Sequence, residues 1–366
     1  MNLLYSEVEE ELRASVRALL ADHSPAAVTL ARIEAPDVHD PALWRTLAAD
    51  LGTAGLPVPE ALGGAGASVR ETAVVLEELG RSVAPVPFLG SAVLATTALL
   101  AAGDPAVADL ADGTRTGSLA VPLSTAPGRP FTPSVRRDPD GTLSGRVTSV
   151  ADARSADLLV VPAEGGALFV VEPAAGGCTI EPRRSLDLTR PLADVLLDRA
   201  PARQLADEPA VLERTLQTGA GLLASEQLGI AEWCLAETVG YLRERRQFNR
   251  PVGSFQGLKH RLADLWLQLT GARAAARHAA DALAAETVTA TALSPDTAIA
   301  VAVAQAHCGT VAVRAAEECV QLHGGIGMTW EHPAHLYLKR AKADQLALGT
   351  PGHHRSLLAE LADLPA

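Results

Sequence analysis

Three blocks of different hydrophobic period divide the chain, and no single-layer fold accommodates all three. In the first block Tyr5, Val8, Leu12, Val16 and Leu19 recur at helical spacing. Between residues 115 and 200 the pattern changes to short β-type runs: SLAVPL, ADLLVVPA, ALFVVEP and ADVLLD. Turn formers such as Asp140-Gly141 and Gly165-Gly166 separate them. From residue 208 onward long helical stretches return. The order is therefore α, then β, then α, and the strand spacing suggests a barrel or a sandwich. The two junctions create crevices in which a ligand can bind.

Local signals mark the helices. Asp40-Pro41 is an N-cap followed by proline at the first helical position, and it starts a helix through Trp44 and Leu47. Gly55–Gly66, GLPVPEALGGAG, reads as a loop, and a helix follows from about Ser68 to Leu79. In the last block one helix is expected from Glu208 to Gln247 and a second from Gln256 to about Glu286. Ser294-Pro295 opens a third, which stops at Gly324-Gly325. A fourth spans Pro333 to Leu348 and ends at Gly349, which suggests an antiparallel bundle.

Composition narrows the function. With 366 residues, the chain has room for about two to four domains at roughly 100–200 residues each. Lys and Arg total 31 against 43 Asp and Glu, a net charge of −12, so a general nucleic-acid binder is disfavoured. Aromatic residues are only 3%, so aliphatic side chains and alanine must fill the core. The acidic, amphipathic start has neither the basic region nor the apolar stretch of a secretory leader. No run of about 18 apolar residues predicts a membrane span. Cys178, Cys234, Cys308 and Cys319 are widely spaced, form no metal-ligand pattern and are read as reduced thiols. The expected location is cytoplasmic.

Two stretches carry chemistry: YLRERRQFNRPVGSFQGLKHRLADL (Tyr241–Leu265) and QLHGGIGMTWEHPAHLYLKRAKADQLALGT (Gln321–Thr350). In order and spacing they resemble the acyl-CoA dehydrogenase family, whose patterns are R-x-x-F-G, F/H-Q, then Q-x-x-G-G-x-G and E-x-P. In coarse form the resemblance covers the whole chain. It implies an α+β fold with an N-terminal helical domain (1–112), a middle β-barrel domain (113–205) and a C-terminal four-helix bundle (206–366). It also implies FAD as cofactor, an acyl-CoA or acyl-carrier thioester as substrate, a homo- or heterotetramer, and an electron-transferring flavoprotein as acceptor. Arg245 then matches the arginine that reaches the flavin pyrophosphate of a neighbouring subunit, a group that a guanidinium suits. A helix C-terminus by itself also favours a cation there. Phe248 and Gln256 match positions at the adenosine end of the flavin. Asn249 replaces a glycine, and asparagine tolerates the left-handed turn. Gln321, Gly324 and Gly325 match the Q-x-x-G-G element, where glycine admits a close backbone approach. Arg246, Arg250 and Arg261 are read as solvated.

The sequence departs from the family where the chemistry should be. The usual catalytic glutamate falls at Leu348, counted from Glu331 of the E-x-P element, and leucine cannot take a proton. The alternative slot, on the long helix, falls at Gly219. The nearest carboxylate is Glu226, on a face with Leu222, Ile230 and Trp233, and it is the candidate base. The flavin-ring element T-E-P-x-x-G-S-D is missing from Ala120–Ser134. The W-I-T element is replaced by Thr148, Ser149 and Val150. Three functions stand open: an FAD-dependent dehydrogenase of acyl thioesters, a non-catalytic partner that completes the FAD site in trans, and a relative with altered chemistry on a carrier-bound acyl group.

Overall fold

The structure is a computed structural model that describes residues 3–35 and 37–364. Helix α1 (Glu7–His23) opens with a capping box, in which Ser6 and Glu9 each satisfy the other's backbone N–H. Helices α2 (Ala26–Arg32) and α3 (Pro41–Arg45) follow, the second capped by Asp40 on the N–H groups of Ala42 and Leu43. Helix α4 (Val69–Ser82) repeats the capping box with Ser68 and Glu71 and runs one turn beyond the expected Leu79. Helix α5 (Leu89–Ala101) was not marked by periodicity. It is buried on nearly every side, so it carries no polar stripe for a 3.6-residue period to reveal. Helix α6 (Val107–Ala111) closes the block.

The middle block holds β1 (Gly117–Leu119), β2 (Val135–Arg137), β3 (Leu143–Ala151), β4 (Leu158–Pro162), β5 (Leu168–Val171), β6 (Cys178–Arg183), β7 (Leu192–Ala200) and β8 (Arg203–Ala206). They form two four-stranded sheets, ordered β1-β4-β5-β8 and β2-β3-β7-β6. The sheets pack face to face, with Leu159, Val161, Phe169 and Val171 of one meeting Val147, Val195 and Leu197 of the other. Alternate residues of β4 and β5, namely Leu158, Val160, Leu168 and Val170, join the core beneath the N-terminal helices. Two covered faces explain the unbroken apolar runs of these strands.

The C-terminal block starts with α7 (Pro209–Glu244), which ends three residues before the expected Gln247. Residues 246–251 instead form a two-residue hairpin of β9 (Arg246–Gln247) and β10 (Arg250–Pro251). Helices α8 (Gln256–Ala284), α9 (Pro295–His323) and α10 (Ala334–Leu346) follow the expected order. A fifth helix, α11 (Pro351–Leu361), lies beyond the expected stop at Gly349. Thr350 caps it by accepting from the His353 N–H, and Pro351 takes its first position, the same signal that marks α9. Helix α9 is long and apolar enough to cross a membrane by composition, but 72% of that apolar window is buried within the bundle.

One crossing sets the position of α7. A Cβ on Gly80 of α4 would lie 2.0 Å from the Glu226 carbonyl oxygen, and one on Gly229 of α7 would lie 1.9 Å from that of Glu77. Only glycine permits the two backbones to approach this closely. The contact brings the 226–229 turn of α7 against the N-terminal domain and holds the Glu226 backbone in place.

Candidate functional site

The hairpin after α7 and the end of α9 enclose a surface cleft of about 430 Å³. Tyr241, Arg245, Gln321, Gly324, Gly325 and His323 are among its lining residues. Four expected cofactor residues are thus together: Arg245, Gln321, Gly324 and Gly325. Arg245 is exposed and, among the described residues, faces no carboxylate at ion-pair distance. Nothing lies within 4 Å of where a Cβ on Gly324 or Gly325 would stand, so the backbone there is open to a ligand. A free guanidinium beside an open backbone suits a phosphate group.

Phe248 and Gln256 do not line the cleft. Gln256 is the exposed first residue of α8. Phe248 sits at the hairpin tip, 85% exposed, its ring edge-on to Phe255 at 6.2 Å between centroids. Phe248 and Asn249 have φ of 51° and 64°, the pair of left-handed residues that a two-residue hairpin turn needs. Asparagine takes this backbone readily, whereas phenylalanine takes it at a cost.

The two positions where a family base could stand converge. A Cβ on Gly219 would lie 2.4 Å from Leu94 Cδ2 and 3.0 Å from Leu348 Cδ1. Leu348 is fully buried. Its N–H donates to the Leu123 carbonyl at 2.8 Å. The place is therefore filled by two leucines and contains no proton acceptor on either slot.

Glu226 requires a correction. It is 1% exposed and cannot meet a substrate. Both of its carboxylate oxygens accept from Arg190 Nη2, at 2.7 and 2.6 Å, and Arg340 Nη1 donates to Oε1 at 2.5 Å. Arg340 also donates through Nε to Asp187 and through Nη2 to Thr189 Oγ1 at 2.6 Å. Arg190 Nη1 donates to Asp344 Oδ1 at 2.6 Å. Glu226 is thus a strut between the middle domain and α10, and its assignment as base is withdrawn. The sequence reading missed the other members. Arg340 and Asp344, four apart on α10, were a usable signal for a shared face, but Asp187 and Arg190 sit in a loop without periodicity.

The charges in this centre balance only if one acid keeps its proton. Burial and the adjacent Glu226 push the Asp344 carboxyl up to about 8. Against its own burial, Arg340 and Arg190 hold Asp187 below the ordinary carboxylate range. Two guanidinium groups then face the carboxylates of Glu226 and Asp187. An unfolded aspartate titrates at about 3.9, so between about pH 4 and pH 8 the folded chain holds a proton that the unfolded chain has lost. This contribution to stability therefore falls as pH rises through that window. Asp344→Asn keeps the shape without the titration. Its denaturation midpoint is expected to fall less between pH 6 and pH 9 than that of the wild type; equal slopes would mean that Asp344 is already ionised.

In the middle-domain segments where the family's flavin-ring elements are missing, several backbone donors are paired within the protein. The Leu123 N–H donates to the Ser149 carbonyl at 3.0 Å, and the Ser149 N–H donates to Asp194 at 3.1 Å. The Ala120 N–H is bonded to Val160 at 2.8 Å within the sheet. These donors are committed to the protein. Arg245 and the open Gly324-Gly325 backbone thus suit a diphosphate, whereas the N–H groups of Ala120, Leu123 and Ser149 are not free to hold a flavin ring.

Comparison with known proteins places the chain in a family. Residues 6–109 match the acyl-CoA dehydrogenase N-terminal domain, and residues 210–362 match the C-terminal domain. The acyl-CoA dehydrogenase IpdE2 of Mycobacterium tuberculosis is 37% identical over 353 residues, 94% of each chain. The ChsE4-ChsE5 complex from the same organism superposes with a TM-score of 0.88 at 30% identity, covering 100% of both chains. The Tcur3481-Tcur3483 steroid acyl-CoA dehydrogenase gives a TM-score of 0.84 at 30% identity, covering 98% of both. With both terminal domains matched and the fold shared along its whole length, the chain belongs to the acyl-CoA dehydrogenase family.

Proposed function

We propose that this chain is the partner subunit of a heteromeric acyl-CoA dehydrogenase, completing in trans a flavin site whose ring is held by another chain. The contact of Leu94, Gly219 and Leu348 carries the reading. Removal of a proton α to a thioester carbonyl needs a positioned base. Leucine is no base, and the packing leaves no space for a substrate carbon beside Gly219. Arg245, Gln321 and the Gly324-Gly325 backbone would bind the diphosphate, with Phe248 projecting from the hairpin toward the adenosine end. FAD, when bound, supplies the acceptor for the Cβ hydride. The likeness to a complex, ChsE4-ChsE5, and to a steroid acyl-CoA dehydrogenase supports assembly with a second dehydrogenase chain and a steroid-derived acyl thioester as substrate.

The isolated chain is expected to lack visible flavin absorbance and to turn over no acyl-CoA. Co-expression with a dehydrogenase chain that retains the glutamate should yield a complex with flavin and activity. Stoichiometric flavin on the isolated chain, bleached anaerobically by an acyl-CoA, would overturn the proposal.

A further inference from the structure

His323, the last residue of α9, is 2% exposed, and its Nε2 has no hydrogen-bond partner among the described residues. Its other ring nitrogen, Nδ1, lies 2.7 Å from the Cys319 carbonyl oxygen. A carbonyl only accepts, so Nδ1 carries the ring proton and Nε2 keeps a bare lone pair. A buried acceptor without a donor costs free energy, which makes Nε2 a position that calls for a ligand. The ring is held from two sides. It stacks on Tyr241 at 4.5 Å between centroids, and the His332 ring stands 4.3 Å away.

His332 lies in the bend before α10, and Glu237 is on α7, one turn before Tyr241. One ligand atom from each of Glu237, His323 and His332 lies within 4.8 Å of the other two. His332 Nε2 and Glu237 Oε1 are 3.9 Å apart, too far for a hydrogen bond to close the group. Of the three residues, only His323 also lines the Arg245 cleft. Two imidazoles and one carboxylate are the donor set of a zinc-class ion with a fourth position open. The carbonyl behind His323 Nδ1 is the usual support of a ligating histidine. Tetrahedral ligands at about 2.0–2.2 Å from zinc stand about 3.3 Å from one another. Glu237 is exposed and His332 is outside any regular element, so both side chains have room to close in. His332 Nδ1 accepts from the Ala334 N–H at 3.2 Å. Ligation through Nε2 moves the ring proton to Nδ1 and gives up that bond, so micromolar rather than tighter affinity is expected.

We infer that Glu237, His323 and His332 bind a divalent transition-metal ion of the zinc class, which ties the bend before α10 to α7 and to the end of α9. This does not rest on the partner-subunit reading, because it concerns binding to this chain alone. The full chain, stripped of metal by a chelator, would be titrated with zinc chloride by calorimetry and thermal melting, and with cobalt(II) chloride by visible absorbance. Against its burial, Cys319 raises the His323 pKa, so protons compete for Nε2 and mildly alkaline buffer is used. Saturable binding of one zinc ion per chain, a rise in Tm that magnesium chloride does not reproduce, and a cobalt absorbance band are expected. Losing a ligand costs at least as much affinity as losing the support behind one, so Glu237→Gln and His332→Gln should each weaken zinc binding roughly 10–100-fold. Glu237 is exposed, so its variant should melt as the wild type does without metal. No saturable zinc binding, an equal rise in Tm with magnesium, or undiminished affinity in both variants would overturn the inference.

Discussion

Glu226→Gln is expected to lower folding stability by about 3–5 kcal/mol while leaving turnover per bound flavin unchanged in an assembled complex. The substitution keeps the side-chain shape and removes the charge on which Arg190 and Arg340 converge. Breaking a buried ion pair from one side leaves its partner desolvated and unpaired, which is why the effect is large. Asp344 modifies it. Once Glu226 is neutral, part of what pushes the Asp344 carboxyl up is gone, so Asp344 can ionise and take over the pairing with Arg190. The loss should therefore be greatest at mildly acidic pH and shrink as pH rises. Urea denaturation at several pH values, alongside steady-state turnover normalised to flavin, separates the outcomes. A collapse of turnover with stability intact would restore Glu226 as the base and sink its assignment as a strut.

Arg245→Gln is expected to release flavin from the complex, with affinity falling roughly 100-fold, while the fold of the chain is unaffected. Charge-assisted hydrogen bonds to a phosphate are worth about 1.5–3 kcal/mol each, and a guanidinium can make two. Arg245 is exposed at the end of α7, and its backbone N–H still closes onto the Tyr241 carbonyl at 2.8 Å whatever the side chain. The helix end should therefore survive. Flavin retained on gel filtration, measured by absorbance, reads the effect, and an unchanged melting curve for the isolated variant confirms that folding is intact. Full flavin retention would show that Arg245 is merely a solvated cation complementing the helix dipole.

The parts of the fold that were legible in the sequence are those governed by short-range chemistry. Asp40-Pro41 and Ser294-Pro295 announce helix starts because a cap bonds to N–H groups two or three residues away. Gly324 ends α9 with φ of 63°, a backbone that favours glycine. Thr350-Pro351 carries the same kind of signal, and α11 follows from it. Helix α5 was illegible for the opposite reason: buried between α7 and the β1-β4-β5-β8 sheet, it has no polar face, so its period is hidden. Within the candidate site, the gathering of Arg245, Gln321, Gly324 and Gly325 followed from motifs at two helix ends.

The sequence by itself determined the α, β, α order, the helix starts, and the absence of an acid at Leu348 and Gly219. These are properties of residue identity and near spacing. Only the tertiary structure decided that Leu348, Gly219 and Leu94 fill one place and that Glu226 is a strut. Whether a carboxylate is a base or a support depends on its burial and on the charges opposite it. For Glu226 those charges come from Arg190 and Arg340, which are 36 and 114 residues away along the chain. No local pattern encodes an encounter at that separation; the packing of α7 between the N-terminal helices, the middle domain and α10 creates it.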